Sequence, residues 1–113
     1  AYLRYVVREN AKRRDLVQMF AILQAESIDP DHPAHDYFEH RPAIIWQTLS
    51  NYQWKLPPQI GTWENFKPLH RMALEAMDGI QLRWLRSDPI DLYDEWIAFE
   101  RILFPSPVWD NYR

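Results

Sequence analysis

Apolar residues along this chain recur at the three-and-four spacing of a helical face, and no stretch alternates with the period of two that marks a strand beside a hairpin turn. From Tyr2 to Ala25 neither Pro nor Gly interrupts the pattern, and Leu16, Met19, Phe20 and Leu23 make one face of a helix. The first half of this segment is weaker, with Leu3, Val6, Val7 and Ala11 as its apolar positions and a basic run from Arg8 to Arg14 across it. Asp15, with Gln18 three residues on, is placed to cap a second helix, so one long helix and two shorter ones both fit.

Residues 28–36 are dense in Pro, Asp and His, and the chain reverses there because Pro fixes φ and Asp bonds its own backbone. A short helical turn over Asp36 to His40 can follow. Pro42 then suits the first position of a helix, where its missing N–H is no loss, and that helix runs to about Gln53 with Ile45, Leu49 and Tyr52 inward. Lys55 to Gly61 is a loop. Thr62 is a candidate N-cap with Glu64 well placed against the helix dipole, but Pro68 is expected to separate a short turn from the main helix. From Pro68 to about Arg86 the stripe is Leu69, Ala73, Ala76, Met77, Ile80 and Trp84. Gly79 within it costs about 1 kcal/mol relative to Ala unless it admits a neighbouring backbone. Ser87-Asp88-Pro89 with Asp91 predicts a further helix start, with Pro89 at its first position. Leu92, Trp96, Phe99 and Leu103 then make a face that ends before Pro105.

These elements give an all-α protein, a small helical bundle or orthogonal helical domain of about four to five helices. An irregular aromatic tail follows, extended over residues 106–113. A chain of 113 residues fits one domain, residues 1–113, with a single core. Hydrophobic residues at 47% and charged residues at 26% exclude intrinsic disorder. No apolar run has the length of a membrane span, and the first residues lack the apolar stretch and cleavage site of a signal peptide. The absence of Cys excludes disulfides, thiolate metal sites and cysteine nucleophiles. A reducing intracellular compartment fits this, with the cytoplasm ahead of an organelle matrix.

The aromatic count changes the picture most. Six Trp, six Tyr and five Phe exceed what a core of this size readily holds, so some rings are expected to lie at the surface, where Trp and Tyr anchor partners. Trp54, Trp63, Trp109 and Tyr112, in or beside loops and the tail, are the candidate partner-binding residues. Charge is polarised as well. Residues 1–20 carry five basic side chains, Arg4, Arg8, Lys12, Arg13 and Arg14, against two acidic ones, whereas the remainder carries eight basic against fourteen acidic. The basic face has the chemistry to meet phosphate, but the acidic remainder and a whole-chain pI near 5.8 weigh against nucleic acid. Docking to an acidic protein surface, including the Asp88 to Glu100 segment of another copy, fits equally.

Three further groupings have a chemistry to consider. His32, His35 and His40 lie among Asp29, Asp31, Asp36 and Glu39 and offer imidazole and carboxylate to a metal, yet no zinc-protease or di-iron spacing is present and the prolines account for the segment as a polar turn. Glu75 and Asp78 project side by side on a helix, as a general acid and base require, but no nucleophile, phosphate loop or oxyanion element accompanies them. Asp88, Asp91, Asp94 and Glu95 lack the calcium-loop spacing and read as helix-start acidity. The expectation is a non-enzymatic helical protein–protein interaction module or small subunit of a larger assembly, without a cofactor, that meets a protein partner or its own copies. A nucleic-acid-associated protein using the basic helix stands second. A metal-binding enzyme using His32, His35 and His40 stands third.

Overall fold

Five helices and no strand make up the chain. A computed structural model describes residues 1–113, with α1 over Tyr2–Ala11, α2 over Arg14–Glu26, α3 over His35–Ser50, α4 over Trp63–Arg86 and α5 over Leu92–Leu103. The first segment is two helices, broken where Arg13 leaves helical geometry at φ −127° and ψ 51°. Asp15 lies in the first turn of α2 and does not cap it. Instead, Arg14 turns its guanidinium toward the end of α4, donating to the carbonyl of Leu85 at 2.8 Å and more distantly to that of Trp84. These bonds bring donors to two of the last carbonyls of α4, where a helix C-terminus runs short of them; that of Trp84 also accepts from Ser87 N–H.

Two of the three prolines expected at helix starts lie inside helices. α3 begins at His35 and runs through Pro42, and α4 begins at Trp63 and runs through Pro68. Each ring is exposed, so the backbone bond it removes lies on the solvent side of the helix. Thr62 does cap α4, its hydroxyl accepting from Asn65 N–H at 3.2 Å. Pro89 belongs to a turn closed by Ile90 N–H on the Ser87 carbonyl. The cap of α5 is Asp91, whose carboxylate accepts from Asp94 N–H at 2.9 Å, so the helix starts three residues later than the proline implies.

α4 is the central element, packing against α5, α2 and α3, while α1 lies on α5 and α2. It buries Ala73, Met77, Ile80 and Trp84 as the sequence predicts, and the same stripe continues back to His70 and Phe66. α5 adds Leu92 and Trp96, and α1 adds Val7. α3 buries only Leu49; Ile45 is half-buried and Tyr52 lies beyond the helix, exposed. The flattened bundle measures 43 × 34 × 19 Å, about two helix diameters thick, with a radius of gyration of 15.2 Å. A compact chain of this length is expected near 13 Å. Only 16 of the 113 residues are buried, which follows from that shape. No helix is long and apolar enough to cross a membrane.

The tail is not extended. Residues 105–113 coil through successive turns, with Trp109 N–H on the Pro105 carbonyl and Tyr112 N–H on the Trp109 carbonyl. This winding carries the Trp109 ring back against Phe66 and Phe104. Trp109 is 6% exposed and belongs to the main core cluster. The apolar ring finds burial within its own chain, which is why the expectation of a reaching tail fails. On α2 the error runs the other way. Of the predicted face, Leu16 and Met19 are exposed and Phe20 and Leu23 only half-buried, while Val17 is the buried residue.

Candidate functional site

Trp54, Trp63, Trp109 and Tyr112 come together around one cavity of about 280 Å³ between α1, the end of α3, the start of α4 and the C-terminal turns. Local bonding explains their positions. The Trp54 indole N–H donates to the Leu49 carbonyl at 2.6 Å, and that of Trp63 donates to Ser50 Oγ at 2.8 Å, so both rings are tied to the end of α3. Their planes are within 11° of parallel with centroids 5.7 Å apart, and Trp46 of α3 stacks on the other face of Trp63 at 4.5 Å. Phe66 then links Trp63 to Trp109, and Tyr112 packs on Trp109 edge to face. The four rings expected to stand at the surface are therefore half-buried or buried walls of an internal cluster. Indole rings bury large area once their N–H finds an acceptor, and here the loops supply it.

Two wall residues escaped the sequence reading. His70 reads as a polar position in the α4 stripe, yet it is 4% exposed, flanked by Trp46, Trp63 and Phe66. Its Nε2 has no hydrogen-bond partner. Burial pushes its pKa below the ordinary histidine value, so the ring is held neutral. Glu100 of α5 is 2% exposed at the edge of the same cavity. Arg4 grips it with three hydrogen bonds of 2.6, 2.9 and 3.1 Å. No one-dimensional signal joins positions 4 and 100; only the packing of α1 on α5 does.

The basic helix is thereby redirected inward. Arg8 donates to the Tyr93 hydroxyl at 2.9 Å, and Arg14 binds the α4 terminus with its guanidinium over the Trp84 ring. Lys12 pairs with Glu9, and the Arg13 side chain has no polar partner. The five cations do not form one free face.

The histidine segment is likewise taken up locally. His32 Nδ1 accepts from Ala34 N–H and its Nε2 faces Glu26, His35 bonds the Ser27 carbonyl, and His40 bonds the Asp36 carbonyl. No group of three or more potential ligands converges there or elsewhere. Among the acidic residues of α5, Asp91 is the cap and Glu95 pairs with Arg83. Glu75 is exposed, whereas Asp78 lies in a groove between α2 and α4 where Gln24 donates to it at 3.3 Å. Burial raises the Asp78 pKa, only partly offset by that bond and by Arg41.

The remaining unusual surface is the outer side of α2. Leu16, Met19 and Ile22 are 42%, 49% and 50% exposed, and Ile28 beyond the helix end is 80% exposed. No protein-family model matches the chain, and no curated protein or solved structure shows significant similarity to it.

Proposed function

We propose that the chain is a non-enzymatic helical assembly subunit whose docking surface is α2 and whose first partner is a second copy of itself. The observation that carries this reading is the composition of α2. Eight of its thirteen residues are Leu, Val, Met, Phe, Ala or Ile, distributed around the whole helix. A helix apolar on all sides belongs in an interior, yet α2 buries only Val17 against its own chain. The thinness of the bundle has the same sense, because a slab two helices thick leaves one side of its outer helix without a neighbour.

A second copy is favoured by the ends of the apolar stripe. Lys12, one residue before the break at Arg13, and Glu26, the last residue of α2, flank the apolar stretch at its two ends, so an antiparallel two-fold pairing centred on Met19 brings the Lys12 end of one copy to the Glu26 end of the other, twice. Both side chains are mostly exposed, at 70% and 55%. Leu16 then meets Ile22 across the axis. The nucleic-acid reading carries less weight, because Arg4, Arg8 and Arg14 are engaged within the fold.

Sedimentation equilibrium between about 10 μM and 1 mM tests this, a range that reaches weak association. The expected mass rises toward twice 13.7 kDa for the parent chain and stays at one chain for Met19→Asp. The variant should melt within a few degrees of the parent at low concentration, since the position is exposed. A parent chain that remains a monomer throughout, or a Met19→Asp variant that associates equally, rejects the reading.

A further inference from the structure

The groove between α2 and α4 carries an inference independent of the outer face of α2, since Met19 and Ile22 lie outside it. Its volume of about 450 Å³ falls within the 300–1,000 Å³ of small-molecule pockets, and is about three times the apolar cavity of about 150 Å³ that holds benzene in another protein. Val17, Phe20, Ala21, Ala25 and Leu82 contribute to a mostly apolar lining, so one aromatic or branched side chain finds burial there. Asn10, Gln24 and Gln81 are its neutral polar groups, and Asp78 and Arg41 are its charged ones.

Those two charges are what an apolar guest leaves unexplained. Asp78 is half-buried on α4, and the neutral Gln24 amide that reaches it does so at 3.3 Å, beyond the 2.7–3.2 Å of a good N–H···O bond. Arg41 is half-buried on α3 with its guanidinium over the Phe20 ring at 5.6 Å, and it makes neither a hydrogen bond nor an ion pair. Arg41 is near enough to favour the charged form of Asp78, yet no ion pair joins the two. Glu75, three residues before Asp78 and exposed, adds to the negative potential at that end. A charge withdrawn from water is unfavourable unless an opposite charge meets it, and both groups are left with that need. A simple cation answers Asp78 and is repelled by Arg41, and a simple anion does the reverse. A molecule with an ammonium and a carboxylate on one carbon meets both at once, and the guanidinium fork matches a carboxylate.

We propose that this groove binds a free α-amino acid with an apolar side chain, its ammonium on Asp78, its carboxylate on Arg41 and its side chain in the apolar lining. The probe is L-phenylalanine, with 2-phenylethylamine lacking the carboxylate and 3-phenylpropanoate lacking the ammonium. Each is titrated into the full chain at neutral pH and followed by NMR through the Gln24 side-chain amide and the backbone amides of residues 20–25. Saturable shifts are expected with L-phenylalanine, and each truncated probe should bind about tenfold more weakly, the ratio that one hydrogen bond to a charged group gives. Asp78→Asn should bring L-phenylalanine down to the level of 3-phenylpropanoate, and Arg41→Met down to that of 2-phenylethylamine, with thermal melts confirming that each variant folds. Should either variant fail to fold, the three probes on the parent chain decide. The proposal is overturned if either truncated probe binds as tightly as L-phenylalanine, if both folded variants bind L-phenylalanine as the parent does, if no saturation appears up to its solubility, or if the shifts are confined to signals away from the groove.

Discussion

Replacing Arg4 by Met isolates the one buried ion pair of the fold. Glu100 keeps only 3% of its side-chain surface in water, whereas Arg4 keeps 31%, so removing the arginine strands a carboxylate in the interior. Breaking a buried pair in this way costs about 3–5 kcal/mol, far above the 0–1 kcal/mol of an exposed one. Because Arg4 reaches the surface, water can enter the space it vacates, and the lower figure applies. At about 4 °C per kcal/mol for a chain of this size, the melting temperature of Arg4→Met should fall by about 12 °C. The Arg4→Met/Glu100→Leu double variant removes both charges and should recover most of that loss, to within about 1.5 kcal/mol of the parent. Circular dichroism melts at one pH and ionic strength, on dilute samples, measure both. A single variant that loses less than about 1 kcal/mol, or a double variant no better than the single, refutes the burial of this pair as a determinant of the fold.

Trp109→Ala should destabilise by about 3–5 kcal/mol, as for a core ring, and deletion of residues 106–113 should lower the melting temperature at least as far; an unchanged melt places the tail outside the core. Gly79→Ala should stabilise by about 0.5–1 kcal/mol, because beyond the adjoining residues and backbone of α4 itself no atom lies within 4 Å of where the new Cβ stands, and α4 continues through the site; destabilisation in the same melts reveals a close neighbour. Asp78 has a folded-state pKa raised above its unfolded value, so its ionisation weakens the fold as pH rises from the ordinary aspartate range through the raised value. Asp78→Asn keeps an acceptor for Gln24 and should be more stable than the parent at neutral pH, the advantage fading below the ordinary aspartate pKa. An advantage that does not change with pH contradicts burial of the charged form.

The helices were largely legible in the chain because their signal is local. The α4 stripe of Ala73, Met77, Ile80 and Trp84 and the Thr62 cap depend on neighbours within a few residues. Boundaries at Pro42 and Pro68 were not, since whether a proline starts a helix or sits exposed within it depends on which side faces solvent, and the one near Pro89 was missed because the Asp91 cap, not the proline, starts α5. Which face of α2 packs inward was hidden for a related reason. With apolar residues all round, periodicity does not choose between Val17 and Leu16. Membership of the site was legible for Trp54, Trp63, Trp109 and Tyr112, though as an outward surface and not as the wall of a cavity. His70 and the Arg4–Glu100 pair stayed invisible because long-range packing assembles them. A basic residue at position 4 carries no mark of a carboxylate 96 residues away.

The pairing of two copies through α2 is tested most directly by exchanging charges at the ends of its apolar stripe. Sedimentation equilibrium is measured for Lys12→Glu, for Glu26→Lys and for the double variant, with thermal melts confirming that each monomer folds. In the antiparallel arrangement each single change sets like charges face to face at both ends, and the double change restores two attractive pairs. Both single variants should dissociate at concentrations where the parent pairs, and the double variant should pair again. Single variants that associate like the parent, or a double variant that remains a monomer while the parent pairs, contradict the assignment of a second copy to this surface.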